Sequence, residues 1–157
     1  MYSSLLTKQI VLIPPNFLAE RQATMFASST VVQAIKISAF LISAFCKTKI
    51  IEKNYERCQY LAEELSNTLV INGDGTNLKL LDDEEIGSAD VVISVTNNDE
   101  RNLLCSLLAK QLGVKRVIAR VAKVVNIPLF EKVGIDIAVS PKNSAINEVK
   151  NDLQENN

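Results

Sequence analysis

Histidine is absent from all 157 residues. Ser-His and Cys-His nucleophilic pairs, His-ligated zinc and an imidazole pH switch are therefore excluded. Cys46, Cys58 and Cys105 are odd in number and form no C-x-x-C pair, which predicts free thiols in a reducing compartment and no metal site. What remains is binding chemistry. Glu52 closes the apolar run Lys49-Ile50-Ile51 and follows the hydroxyls of Ser28, Ser29 and Thr30 by about 20 residues, the separation at which an acid accepts hydrogen bonds from an adenosine ribose in a dinucleotide fold. Taken alone, Glu52 reads equally well as a solvated acid at a strand end. Where such a fold carries G-x-G-x-x-G, this chain has Ser28-Ser29-Thr30-Val31-Val32-Gln33, with every glycine position filled by another residue. That removes the freedom to adopt positive φ and the close backbone approach to a pyrophosphate. Hydroxyls and backbone N–H groups at a helix start still favour an anion, so phosphate binding is weakened, not forbidden.

The elements that must position these residues follow from apolar periodicity. A strand at 24–27 and a helix over 31–45 precede the strand ending at Glu52, completing a first β-α-β unit. Tyr55, Cys58, Leu61 and Leu65 then recur at helical spacing. Thr68-Leu69-Val70-Ile71 predicts a strand that ends in the turn cluster Asn72-Gly73-Asp74-Gly75, and Leu78, Leu81 and Ile86 mark a shorter, less regular helix. A β-branched run over 90–95 leads into Thr96-Asn97-Asn98-Asp99-Glu100, with Asn97 or Asn98 as N-cap. Leu103, Leu104, Leu107, Leu108 and Leu112 are expected to form one apolar face, ended by Gly113. Further strands are predicted at 116–121 and 135–139, around a short helix over 127–133, with a last helix opening at Ser140-Pro141. The strands are nearly continuous in apolar residues, as parallel strands covered on both faces are. The expected fold is α/β: a Rossmann-like, doubly wound parallel sheet in three α/β/α layers, with a degenerate glycine-rich turn.

Composition bounds the partners. Seventeen basic and eighteen acidic residues give a net charge of −1 without a basic tract, which argues against nucleic acid. Residues 1–46 hold four of the 35 charges and none of the five glycines. Within 22–46 only Lys36 is charged, but a central lysine costs roughly 3 kcal/mol on membrane insertion. A buried strand and helix are the expectation there, and no signal peptide is read in the first residues. The organisation expected is an N-terminal extension over 1–21, one nucleotide-binding domain over 22–153 and a frayed tail over 154–157.

Five strings, read together between predicted strands, resemble one family: Ile50-Ile51-Glu52-Lys53, Asn72-Gly73-Asp74-Gly75-Thr76, Val95-Thr96-Asn97-Asn98-Asp99-Glu100, Leu107-Leu108-Ala109-Lys110 and Gly134-Ile135-Asp136-Ile137-Ala138-Val139-Ser140-Pro141. The family is that of TrkA, the Trk-type potassium-uptake regulatory proteins. The region from about Thr48 to Val149 is similar to the nucleotide-binding half of the second RCK/KTN domain. The resemblance implies a cytoplasmic regulatory subunit that binds NAD(H) or ATP/ADP and catalyses nothing. It also implies self-association or assembly with other RCK domains, and a membrane-embedded Trk potassium channel or transporter as partner, at the inner face of the cell membrane. Carried over by position, Glu52, with Lys53 beside it, takes the ribose. Gly73, Asp74 and Gly75 border the adenine, and Thr96, Asn97 and Asn98 lie beside the diphosphate or second sugar. Ordinary readings stand alongside: Gly73 and Gly75 as turn glycines, Asp74 as a turn acid, and Asn97 and Asn98 as helix caps.

Two departures from the family pattern set up an alternative. The glycine turn is replaced at 28–33, and the family's upstream domain and downstream substructure have no counterpart in the sequence. A truncated or degenerate module that assembles without nucleotide, with Ile146, Val149 and Leu153 of the last helix as its contact, is the second expectation. A frame disturbance before about Cys46 would account for the change in composition. An NAD-dependent oxidoreductase shares the fold but needs a catalytic domain and an acid-base residue.

Overall fold

A computed structural model describes residues 22–27 and 47–140. The expected extension over 1–21, the turn at 28–33 with Ser28, Ser29 and Thr30, the helix over 31–45, the last helix and the tail lie outside the described residues. Six strands form one sheet: β1 Gln22–Ala27, β2 Lys47–Glu52, β3 Thr68–Asn72, β4 Val91–Val95, β5 Arg116–Arg120 and β6 Ile137–Val139. Among the described residues four α-helices follow β2, β3, β4 and β5 in turn: α1 Tyr55–Glu64, α2 Leu78–Asp83, α3 Asp99–Gln111 and α4 Ile127–Lys132.

The sheet order is β3-β2-β1-β4-β5-β6 and every pairing is parallel. This is the doubly wound Rossmann order, whose direction reverses between β1 and β4 and leaves a crevice at the carboxyl ends of the strands. Register brings those ends level: Ala27 pairs with both Glu52 and Val95, and Glu52 pairs with Asn72. Residues of both parities are buried in the central strands, Ile50 with Ile51 and Val92 with Ile93, as expected of strands covered on both faces.

One core cluster joins Ile51 of β2, Val92 of β4 and Val117 of β5 to Leu81, Ile86, Cys105 and Ala109. A smaller one gathers Ala119, Val121, Phe130 and Ile135 at the β6 side. The face that α3 turns inward is only in part the leucine stripe. Its buried residues are Asp99, Asn102, Cys105, Ser106 and Ala109; Leu103, Leu108 and Leu112 are half-buried and pack against the core clusters, while Leu104 and Leu107 are exposed. Small residues let this helix sit close on the sheet, where Ser106 donates to Ser94 Oγ of β4 at 3.0 Å. Tyr55 likewise lies outside the buried face of α1, which is Cys58 and Leu61.

Helices α3 and α4 stop the same way. Gly113 and Gly134 take φ of +101° and +93°, and the paired bonds Gly113 N–H to Lys110 and Val114 N–H to Ala109, then Gly134 N–H to Glu131 and Ile135 N–H to Phe130, close each last turn. This is the Schellman arrangement, which favours glycine.

Candidate functional site

A cleft of about 460 Å³ opens at the carboxyl edge of the sheet, between the loops that follow β2, β3 and β4. Its size suits a small organic ligand. Glu52, Lys53, Gly73, Asp74, Gly75, Thr96, Asn97 and Asn98 all line it, together with Arg57, Arg101 and Cys105. The loops after β2 and β3 on one side of β1, and after β4 on the other, thus bring together eight of the eleven candidate residues. Ser28, Ser29 and Thr30 lie outside the described residues.

Glu52 is the buried carboxylate of the cleft, 2% exposed. Its Oε1 accepts the Asn54 N–H at 2.8 Å, and its Oε2 lies 3.5 Å from Arg57 Nη1 but has no hydrogen-bond donor among the described residues. A buried acceptor without a donor carries a desolvation cost that a ligand hydroxyl would relieve. The strand end around it is pinned by Asn72, whose Nδ2 donates to the carbonyls of Glu52 and Lys53 at 3.1 Å each. Gly73 continues that pairing by donating its N–H to the Glu52 carbonyl at 3.0 Å. A Cβ at Gly73 would run into Leu80 Cδ2, so the absent side chain leaves room for the leucine that packs on the core.

Asp74 is an organiser of the loops. Its Oδ1 accepts from the Thr76 N–H at 3.0 Å and the Thr76 hydroxyl at 2.7 Å, forming the turn around Gly75. Its Oδ2 accepts from Lys53 Nζ at 3.0 Å and from Arg101 Nη1 at 3.4 Å. Burial disfavours the charged carboxylate, but the Thr76 donors, Lys53 and Arg101 outweigh it and hold the carboxyl well below the usual carboxylate range. The acid after β3 therefore ties together residues from the loop after β2 and from the start of α3.

Thr96 is committed to the scaffold. Asn102, fully buried, accepts the Thr96 N–H through Oδ1 at 2.8 Å and donates through Nδ2 to the carbonyls of Thr96 at 3.0 Å and Arg120 at 2.8 Å. Arg120 Nη1 donates to the same Thr96 carbonyl at 2.9 Å. Asn98 is the α3 N-cap, accepting the Arg101 N–H at 2.7 Å. Asp99 accepts the N–H groups of Ala122 and Lys123 and the Asn126 amide, which overcome its burial and keep its carboxyl low. The loop bearing Asn97 is thus fixed to β4, β5 and α3 at once. Behind it, burial pushes the Cys105 thiol up to about 12, with the Asp74 charge adding to the effect.

Arg57 and Arg101 are the cleft residues that sequence reasoning missed. A readable signal existed in the repeat Asn54-Tyr55-Glu56-Arg57 and Asn98-Asp99-Glu100-Arg101. In each, the asparagine side chain accepts the arginine N–H, at 2.9 and 2.7 Å, so each arginine stands in the first turn of a capped helix that begins beside the sheet edge. With Lys53, they give the lining three cations against the two acids Glu52 and Asp74. Among the described residues no group of metal-ligating side chains exists, and no helix is long and apolar enough to cross a membrane.

The profile of the TrkA-N domain matches residues 34–141. The Trk system potassium uptake protein TrkA homolog 2 of Methanosarcina mazei is 59% identical over 101 residues, 64% of this chain and 22% of that protein. The TrkA homolog of Archaeoglobus fulgidus is 40% identical over 129 residues, 82% of this chain and 29% of that protein. The chain thus spans about a quarter of the length of these relatives. In three dimensions it is similar to the TrkA-N domain of the inner membrane protein ybaL from Escherichia coli, with a TM-score of 0.71 at 14% identity over 83% of this chain and 95% of that one. It is also similar to the GsuK channel bound to NAD, with a TM-score of 0.63 at 21% identity over 77% of this chain and 21% of that one.

Proposed function

The chain belongs to the TrkA-N domain family, and from that premise we propose that its cleft binds an adenine nucleotide, NAD(H) or ADP/ATP, as the sensor of a Trk-type potassium-uptake system. The observation that carries this reading is the buried carboxylate of Glu52, which lines a cleft at the carboxyl edge of the sheet and whose Oε2 has no hydrogen-bond donor among the described residues. A ribose hydroxyl supplies the missing donor. Gly73, Asp74 and Gly75 would border the base, Lys53 the ribose side, and Thr96, Asn97 and Asn98 the diphosphate or second sugar. Ser28, Ser29 and Thr30, next in sequence after β1, would add hydroxyls. The relatives are named as potassium uptake proteins and one structural neighbour is a channel bound to NAD, which supports the class of ligand and the regulatory role.

In this reading the module performs no reaction. Nucleotide favours one arrangement of the assembly, and the membrane-embedded potassium channel or transporter responds to that preference as a shift in population. Self-association or pairing with other RCK domains, at the cytoplasmic face of the membrane, completes it. Thermal unfolding of the purified chain with and without NAD, NADH, ADP and ATP is the test. A ligand that binds only the folded state, at about 100 times its Kd, adds roughly 2.7 kcal/mol, so a clear upward shift with at least one nucleotide is expected. A cooperative transition that ignores all four would favour the module that assembles without nucleotide.

A further inference from the structure

We infer that Arg101 is the residue through which the cleft recognises the phosphates of its ligand, and that Asp74 is the counter-ion on which it rests when no phosphate is bound. This inference rests on the nucleotide-binding reading and deepens it. The problem it answers is set by the sequence: the turn that ordinarily supplies glycine backbone N–H groups to a pyrophosphate is Ser28-Ser29-Thr30-Val31-Val32-Gln33 here. Charge has to be met from another wall of the cleft.

Three cationic side chains line that cleft, and their attachments differ. Arg57 is 24% exposed and is ion-paired at 3.5 Å with the Glu52 Oε2, which has no hydrogen-bond donor among the described residues; removing it would leave a buried carboxylate oxygen alone, at a high desolvation cost. Lys53 Nζ is held by Asp74 Oδ2 at 3.0 Å. Lys53 is the more exposed at 65%, but Arg101 makes the contact its partner can best spare: its Nη1 stands 3.5 and 3.4 Å from the two Asp74 oxygens and its side chain is 45% exposed. Asp74 does not depend on it, because Thr76 and Lys53 already donate to both carboxylate oxygens. Arg101 can therefore leave at little cost to the site. Its root cannot move far, since the Arg101 N–H is capped by Asn98 at 2.7 Å. A guanidinium with a fixed base, a tip held only by long contacts to Asp74 and planar paired donors suits a phosphate better than an ammonium does.

The test is isothermal titration of the full chain with adenosine, AMP and ADP, for the unchanged protein, Arg101→Ala and Arg101→Lys, with thermal unfolding of each unliganded protein as the measure of folding. Loss of a charge-assisted contact raises the ADP Kd of Arg101→Ala by about tenfold to a hundredfold. Adenosine affinity should stay within about twofold, because the lost contact is to phosphate alone. Arg101→Lys should recover part of the ADP affinity, and its remaining binding should keep a steeper salt dependence than that of Arg101→Ala. If Arg101→Ala binds ADP as tightly as the unchanged protein, or loses adenosine and ADP alike, the inference is overturned while the nucleotide reading stands. If the unchanged protein binds none of the three ligands, both fall.

Discussion

Glu52 shows what spacing alone can reveal and what it cannot. The distance from the hydroxyl-rich turn predicts a ribose acceptor, and Glu52 stands at the end of β2, level with Ala27 and Asn72. No sequence rule says that one of its oxygens is left without a donor; that follows from how Asn54 and Arg57 settle around it. Replacing the carboxylate by an amide in Glu52→Gln retains an acceptor for the Asn54 N–H but offers a weaker one to a ribose hydroxyl. The NAD or ADP Kd should rise about tenfold, measured by titration, with the fold intact by circular dichroism. The same carboxylate repels a 2′-phosphate, so NADP should bind at least about tenfold more weakly than NAD. Comparable NAD and NADP affinities would remove Glu52 from the ribose. Asp74 was legible as a turn acid and as a cleft residue, and it serves as both. Its link to Arg101 joins positions 27 residues apart, a pairing that local strings do not carry.

At the scale of elements, strand-helix alternation was legible because parallel strands buried on both faces read as continuous apolar runs. Helix ends were legible because Asn98 and Gly113 are strong local signals. The inward face of α3 was not. Five leucines at helical spacing outweigh Asn102, Cys105, Ser106 and Ala109 on any hydropathy count, yet it is those four that are buried, with Leu103, Leu108 and Leu112 packed at the margin of the core and Leu104 and Leu107 exposed, since close approach selects small side chains. This reversal is measurable. Ala109→Leu should destabilise by about 1–3 kcal/mol through overpacking, whereas Leu104→Gln, on the exposed side, should cost less than about 0.5 kcal/mol; urea midpoints would rank them. The opposite ranking would restore the leucine face to the core. Gly113→Ala, with nothing within 4 Å of the added Cβ, should cost about 1 kcal/mol from backbone conformation alone.

For the molecule as a whole, ionisable groups tied into hydrogen bonds, ion pairs or the core set the pH range over which the fold holds. Asp74, Asp99 and Asp136 all have carboxyls held low in the folded state: burial opposes ionisation in each, and is outweighed at Asp74 by Thr76, Lys53 and Arg101, at Asp99 by Ala122, Lys123 and Asn126, and at Asp136 by Lys110 and Val117. A depressed folded value means that the unfolded chain binds more protons as pH falls from about 5, so their contribution is complete above that pH and drains away below it. Cys105 works from the other side. Its thiol is pushed up to about 12 by burial, so the unfolded chain releases that proton first, near pH 8.5, and stability declines as pH rises from there towards 12. The melting temperature should therefore be flat between about pH 5 and 8 and fall on both sides. Asp99 binds the connection between β5 and α4 to the start of α3, so Asp99→Asn should lower the plateau and flatten the acid limb, because the amide has no proton to gain. Cys105→Ala should flatten the alkaline limb and leave the acid limb unchanged. If the two substitutions shift the whole profile without changing either slope, the groups that limit the fold at acid and alkaline pH lie elsewhere in the chain.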